Sequence, residues 1–422
     1  MPKRILHTEV AAVHAGSTMV LLNHLKLCSD KWEHSILFRH AGPRKDFGDQ
    51  LLPEMLQRVK LMEELEEEVL GRKESGMSKI GKPLLDAKHE DSPKSSGRLR
   101  TLAGLAKYYI TTVLPEAKHK AEWLKAHPFD LVQLSNGPLG NTQGVIAAGI
   151  AGYPLTARLQ SFMQVNPLEK LFLKRPLGYI AVADSIKYHY VAQGIPESRI
   201  LTVHEGLTED EFEKPQDYSS VKSELGVSDD QPLVGLVGRL VWWKGHDYFI
   251  EACADVSANH PNARFVIVGG PDPTEPDYEN HLRRKAIELG LGDRMIFAGF
   301  KSPVKRYTAA LDVAVLASCL PEPGGRSILE AMAMGIPSIS TDAGGMPEYV
   351  GRDGTTGLLV PIQDSCAMAQ AIDGLLSDRG AAEEMGRLAK DRMYSQFHMR
   401  QTVAGIEQFW EEMLLRFSRN GR

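Results

Sequence analysis

The sequence predicts an α/β protein of two doubly wound domains facing across a cleft. Three observations predict it. Apolar runs of strand length alternate with helical patterns along most of the 422 residues, which is the pattern of a parallel sheet covered by helices. The alternation breaks over a polar stretch, Glu205 to Asp230, and then restarts. Turns after several strands carry small or charged residues, at the sheet end where ligands bind in such folds.

In chain order, Arg4 to Val13 reads as a buried strand. A short turn, His14 to Thr18, leads into a helix from Met19 to Cys28. The turn is either a ligand-facing loop with Gly16 at its centre or a plain β–α connection. Ser35 to Arg39 is a second strand, Asp130 to Leu134 a third, Pro154 to Leu159 a fourth, Gly178 to Val182 a fifth and Ile200 to His204 a sixth. Asn136-Gly137-Pro138 is a turn, and Gln143 to Ala151 is a helix stopped by Gly152. Asp184-Ser185 has the composition of an N-cap for a helix from Ile186 to Ala192.

Residues 44–127 differ from their surroundings. A helical pattern, Phe47 to Leu70, ends in an acidic cluster, and a Gly/Ser/Lys/Pro-rich stretch follows through Arg98. Residues 72–127 hold 12 Lys and Arg against 6 Asp and Glu. Within them lies the apolar run Leu102 to Leu114, with Tyr108 and Tyr109. A basic segment beside an apolar helix suits an anionic membrane surface; it also suits a solvated helix and loop.

In the second unit, Leu233 to Gly238, Arg264 to Gly269, Met295 to Phe297, Val313 to Leu316, Ser338 to Thr341 and Gly357 to Val360 read as strands. Tyr248 to Val256 and Tyr278 to Leu289 read as helices, and a last helix, about Gln401 to Phe417, is placed to cross back onto the first unit. The domains expected are therefore 1–205, with an insertion at about 44–127, then 206–400, with 401–422 returning to the first.

Two stretches carry chemistry. In Pro321 to Gly335, PEPGGRSILEAMAMG, Glu322 and Glu330 bracket a Gly-Gly turn and the start of a helix that Gly335 stops. A helix N-terminus favours an anion, so this is a cradle for phosphates with a carboxylate on each side. Taken alone, it equally fits an amphipathic helix with two solvated glutamates. In Val237 to Gly245, Arg239 and Lys244 follow the carboxyl end of a strand. Two cations there suit a diphosphate, or are two surface bases.

Composition bounds the rest. A net charge of −5, with 43% hydrophobic residues, argues against nucleic acid as a partner. Cys28, Cys253, Cys319 and Cys366 form no CxxC pair, which fits a reducing cytoplasm without a disulfide framework or zinc site. The opening residues lack a signal-peptide pattern, and no apolar run reaches membrane-spanning length. The expected location is the cytoplasm, either free or peripherally on the inner membrane face.

Several of these segments together resemble the family-4 retaining glycosyltransferases of GT-B fold (glycosyltransferase group 1). Gly238-Arg239 through Lys244-Gly245 resembles the family's G-R-x-x-x-x-K-G loop. Glu322 to Glu330 resembles its Glu-seven-residues-Glu motif. Gly344-Gly345-Met346-Pro347-Glu348 and Gly354 to Val360 resemble its G-G-x-P-E and D-G-x-x-G-x-L-V segments. The strong likeness covers residues 233–400, whereas the first unit is similar in outline only.

The resemblance implies two Rossmann-like domains and transfer of a sugar from a nucleotide-diphosphate donor with retained anomeric configuration. It implies Arg239 and Lys244 on the diphosphate, with Gly238 opening their loop, Glu322 on sugar hydroxyls and Glu330 on ribose hydroxyls. Gly325, Ser327 and Ile328 fall where backbone N–H groups meet phosphate, and Phe300 and Lys301 where the backbone meets the base. On the acceptor side it points to Gly16 and, in place of the family's histidine, Gln160. The chain departs from the family at Gly324, usually Phe, at Arg326, usually apolar, and at Glu205, usually Asn. Arg326 is a further donor-contact candidate. Two side-chain cations and no Asp-x-Asp at a strand end imply a metal-independent reaction without a cofactor. The expected partners are a nucleotide sugar and a glycan or lipid-linked acceptor; for residues 98–125 a membrane surface is the alternative to solvent. The alternatives are a non-catalytic nucleotide-sugar or glycan-binding protein, or an epimerase or phosphorylase on the same fold.

Overall fold

The computed structural model describes residues 1–10, 16–38, 59–61, 104, 107–135, 137, 141–165 and 169–420. They contain two parallel sheets. The first has seven strands in the order β3-β2-β1-β4-β5-β6-β7, and the second six in the order β10-β9-β8-β11-β12-β13. Both orders reverse beside the first strand of their sheet (β1 and β8), which opens a crevice at the strands' carboxyl ends.

The first sheet comprises β1 (Lys3–Val10), β2 (Trp32–Phe38), β3 (Val59–Leu61), β4 (Leu131–Leu134), β5 (Leu155–Leu159), β6 (Gly178–Ala181) and β7 (Ile200–Thr202). Strands β4, β5 and β6 are buried along their whole length, as parallel strands covered on both faces must be. β3 corrects an expectation: Val59–Leu61 pairs in parallel with His34 to Ile36 of β2 instead of lying within a helix. Three residues given to a sheet edge override local helix propensity. The remainder of the helix expected over 47–70, the stretch through Arg98 and residues 11–15 lie outside the described residues, as do Asn136 and Pro138 of the expected turn.

Helix α1 (Gly16–Leu27) follows β1. The apolar run before Pro115 is helical in its described part, with a π-helical stretch at Tyr109–Val113 leading into α2 (Leu114–Ala126). Pro115 has no N–H to offer the carbonyl of residue 111, so the wider turn falls where an α-helical bond is unavailable. α3 (Thr142–Ala151) is capped by Asn141, whose Oδ1 accepts the Gly144 N–H at 2.9 Å, and ends on Gly152 at φ 81°.

The second sheet comprises β8 (Leu233–Val237), β9 (Arg264–Val268), β10 (Met295–Gly299), β11 (Val313–Leu316), β12 (Ser338–Thr341) and β13 (Leu358–Val360). Between β11 and β12 lies α4 (Arg326–Ala333). Its end is a Schellman turn: Gly335, at φ 75°, donates to Met332 O at 3.0 Å, and Ile336 donates to Ala331 O at 3.0 Å.

The chain crosses between the sheets twice, and the two crossings pair. Leu207 N–H donates to Phe397 O at 2.9 Å, and Met399 N–H donates to Leu207 O at 2.8 Å. Gly206 permits this approach, because a Cβ there would lie 2.6 Å from the Met399 nitrogen. The last helix, α5 (Met399–Asn420), then packs on the first sheet. Its Phe409, Trp410 and Met413 are buried against Ile5, Trp32, Leu131 and Ile180. Trp410 Nε1 donates to Gln133 Oε1 at 2.9 Å, and Glu407 accepts both the N–H and the hydroxyl of Ser29 at 2.7 Å. Among the described residues, no helix is long and apolar enough to cross a membrane.

Candidate functional site

Glu322 lies in the turn between β11 and α4, 8% exposed. Its carboxylate accepts the Ser318 hydroxyl at 2.5 Å and is ion-paired with Lys244. Lys244 arrives from the loop after β8, where the turn Trp242–Lys244 ends at Gly245, φ 73°. A Cβ on Gly245 would lie 1.8 Å from Ala317 O, so glycine is what lets this loop press against the end of β11. Lys244 Nζ also sits 4.6 Å from the Trp243 ring centroid. The sheet therefore brings together a cation and a carboxylate 78 residues apart in sequence.

Arg239 is held differently. Its Nη1 donates to Asp272 Oδ2 at 2.7 Å, with the side chain 67% exposed. Asp272 also accepts the Thr274 N–H at 3.0 Å and the Thr274 hydroxyl at 2.7 Å. These Thr274 hydrogen bonds, followed by Arg239, hold its carboxyl below the usual range. Trp242 N–H donates to Glu275 at 2.9 Å, so the 239–244 loop is tied to the 272–275 loop. The two cations expected to share a diphosphate are thus paired with two separate carboxylates.

At the start of α4, Gly325 N–H faces the Met346 sulfur at 3.1 Å, and Ile328 N–H donates to Gly325 O at 2.9 Å. Both N–H groups, expected where backbone meets phosphate, thus have partners within the chain. Arg326 and Ser327 occupy the first two helical positions, where an N–H has no partner within the helix. The Ile328 side chain is buried in the core. Gly324 lies against the Tyr349 ring. Arg326 does not project free of its surroundings: its guanidinium pairs with Glu211 and, through Nε at 3.0 Å, with Glu330. Burial pushes the Glu330 carboxyl above its ordinary value, while Arg326 pulls it back.

Phe300 is 76% exposed just beyond β10. Lys301 is drawn to Glu224 at 3.2 Å and lies over the Tyr307 ring. Gly238 sits at the mouth of the cation loop, with Lys244 Cδ 3.8 Å from where its Cβ would be. On the first sheet, Gly16 opens α1 after β1 and Gln160 follows β5. The strand order puts both at the carboxyl end of the sheet.

Sequence reasoning missed the residues that join the two units. Asp184 is not the N-cap of its helix, α-helical over Asp184–Ala192: its side chain accepts the Thr202 hydroxyl at 2.5 Å. The cap comes from Glu348, whose oxygens accept the Asp184 and Ser185 N–H groups at 2.7 and 2.9 Å. His204 Nε2 lies 2.7 Å from the same carboxylate. The Gly344-Gly345 pair permits this, since Cβ atoms there would fall 2.1 Å from the carbonyl oxygens of Glu322 and Pro323. Glu348 belonged to a motif visible in the sequence, but nothing local shows that its partner is another domain. Ser318, Asp272 and Glu211 carried no signal at all. Among the described residues, no cluster of three or more His, Cys, Asp or Glu side chains is arranged to hold a metal ion.

Residues 218–392 match the family model described as glycosyl transferases group 1. That stretch, most of the second domain, is similar to the group 1 glycosyltransferases. The D-inositol 3-phosphate glycosyltransferase of Nocardia farcinica is 35% identical over 178 residues, 41% of this chain and 39% of that protein. The lipopolysaccharide core biosynthesis mannosyltransferase LpsB of Rhizobium meliloti is 28% identical over 221 residues, 52% of this chain and 62% of that protein. The chain thus spans about two fifths to three fifths of the relatives it matches. Over almost its whole length the fold is that of Anabaena HepE, solved with UDP and glucose, at TM-score 0.74 and 22% identity, covering 97% of this chain and 100% of that one. The two-domain GT-B architecture expected from the motifs is the architecture present.

Proposed function

We propose that the protein is a retaining glycosyltransferase that moves a sugar from a nucleotide-diphosphate donor to a glycan, lipid-linked or small-molecule acceptor. The observation that carries this reading is the Lys244–Glu322 pair, supported by Ser318, at the carboxyl end of the second domain's sheet. A cation and a carboxylate side by side suit a phosphate leaving group and the hydroxyls of the sugar it leaves. As the glycosidic bond breaks, negative charge grows on the diphosphate and positive charge on the sugar carbon. Lys244, Arg239 and the free N–H groups at the start of α4 stabilise the first more strongly in the transition state than in the ground state. Glu322 orients the sugar, Glu330 the ribose, and the backbone at Phe300 and Lys301 meets the base. Gly16 and Gln160 lie on the acceptor side. With two side-chain cations on the diphosphate, the reaction is read as independent of a divalent metal.

HepE was solved with UDP-glucose, so UDP-sugars are the first donors to test. Hydrolysis or transfer from a UDP-, GDP- or ADP-sugar that persists in a chelator is the expected result. Full activity in both Glu322→Ala and Arg239→Ala would sink the assignment. Donor binding without turnover across a broad acceptor panel would favour a binding protein instead.

The acceptor side of the reading includes a membrane surface. Ile110 is 65% exposed, Leu171 66% and Leu114 39%, on and beside a helical segment that carries Lys107, Lys118 and Lys125. Exposed apolar side chains on a segment that also carries lysines, alongside Glu116 and Glu122, suit an anionic bilayer. Failure to co-sediment with phosphatidylglycerol vesicles at low salt would remove this part.

A further inference from the structure

Two departures from the family pattern, Glu205 and Arg326, are far apart in sequence and meet in one network. Arg326 opens α4, and Glu330 follows one turn later on the same face. Arg326 Nε lies 3.0 Å from Glu330 Oε1, and the far end of the guanidinium donates to Glu211. Glu211 cannot swing away with it. Its other oxygen accepts both the N–H and the hydroxyl of Thr208, at 2.7 and 2.8 Å, in a capping box on the crossing segment. Phe212 next to it is buried and stacks on His398 of the second crossing. Glu205, on the same crossing, adds its field to Arg326 and sits 3.9 Å from Arg158 of the first sheet. All three carboxylates and both arginines are at most 21% exposed.

We infer that Arg326 is a positioning residue: it keeps the Glu330 carboxylate charged and aimed at the donor, and ties it to the segment joining the domains. The inference rests on the reading of Glu330 as a donor-binding carboxylate. The charge balance explains why a guanidinium is needed. Without it, Glu330 and Glu211 face one another with Glu205 nearby. Lys305, a second cation acting on Glu330, already donates its Nζ to the Asp210 carbonyl. A carboxylate left so takes up a proton, and a protonated carboxyl loses acceptor capacity for the two hydroxyls of a ribose. The planar fork of arginine spans two carboxylates at once, which an ammonium does not do in the same geometry. Burial works against the charged guanidinium, and Glu211, Glu330 and Glu205 more than offset it, so Arg326 stays charged.

The test is calorimetric titration of the full-length protein with UDP, GDP and ADP, and with the parent nucleoside of whichever binds. Arg326→Leu is expected to weaken nucleoside and nucleoside diphosphate by the same factor, roughly tenfold or more. Its affinity should fall off on acidification at a higher pH than in the wild type. Arg326→Leu with Glu211→Gln should recover most of the loss, because the second change removes the charge left facing Glu330. Arg326→Lys should be intermediate, and it serves as the main variant if the leucine protein does not fold. A loss confined to the diphosphate, or no recovery with Glu211→Gln, would overturn the inference and make Arg326 a phosphate contact. Glu330→Gln separates the two levels: wild-type affinity in that variant would overturn the ribose reading and this inference with it.

Discussion

Glu348 of the second domain supplies the cap for the helix Asp184–Ala192 in the first, by accepting from Ser185 and Asp184. Its Oε1 accepts the Ser185 N–H at 2.9 Å and its Oε2 the Asp184 N–H at 2.7 Å. A helix N-terminus carries unpaired N–H groups and partial positive charge, so the ionised carboxylate satisfies both needs from across the domain boundary. Replacing Glu348 by Ala should lower stability by about 1–2 kcal/mol, read from urea denaturation, and should speed proteolysis at the crossings. Unchanged values for both would show that the contact does not hold the domains.

The Lys244–Glu322 pair is expected to be intolerant of halves. Lys244→Met leaves Glu322 with only Ser318 at a nearly buried position, and should cut kcat/KM about a hundredfold or more. Ser318→Ala removes one of two partners and should cost about tenfold. Steady-state kinetics with a competent nucleotide sugar decide this. A Lys244→Met enzyme within threefold of wild type would remove the lysine from the mechanism.

Arg239 has a competitor. In the free protein it is bound to Asp272 at 2.7 Å, so a diphosphate must draw it away. Asp272→Asn should weaken that resting pair and lower the donor KM severalfold, while Arg239→Ala raises it. If both changes raise KM alike, the Asp272 pair is part of the bound site.

Acid should destabilise the protein earlier than its carboxylates alone would. His7 and His24 are buried at the β1–α1 layer, where burial, then neighbouring histidines, keep their pKa well below 6.5. His246 is pushed down to about 4, first by burial and then by Lys244. The unfolded chain protonates these imidazoles near pH 6.5 and the folded one does not. Stability should therefore fall as pH drops below about 6.5, by up to about 1.4 kcal/mol per pH unit for each histidine. For His246 the loss runs down to about pH 4. Denaturation midpoints at pH 7.5, 6 and 5 check the slope; a flat profile would show that these histidines protonate in the fold.

Trp410 anchors the returning helix. It is buried, 5.4 Å from the Trp32 ring centroid and 5.3 Å from His24. Trp410→Ala should cost about 3–5 kcal/mol, leave Gln133 Oε1 short of a donor, and expose Trp32, whose fluorescence would shift to longer wavelength. A loss below 1 kcal/mol would mean the helix adds little to the first domain.

The sequence by itself determined the alternation of strands and helices, because period and length suffice to tell a buried parallel strand from an amphipathic helix. It also determined the Gly335 stop, where a positive φ needs glycine, and the two stretches that bear Lys244 and Glu322. These are local matters, settled by residues within one or two turns of each other. Tertiary structure alone decided the partners. Asp272 for Arg239, Glu211 for Arg326, Glu348 for Ser185 and the edge pairing of Val59–Leu61 all join residues separated by tens to hundreds of positions. A charged side chain takes whichever opposite charge the packed backbone brings within reach, and the sequence records the charge but not the approach.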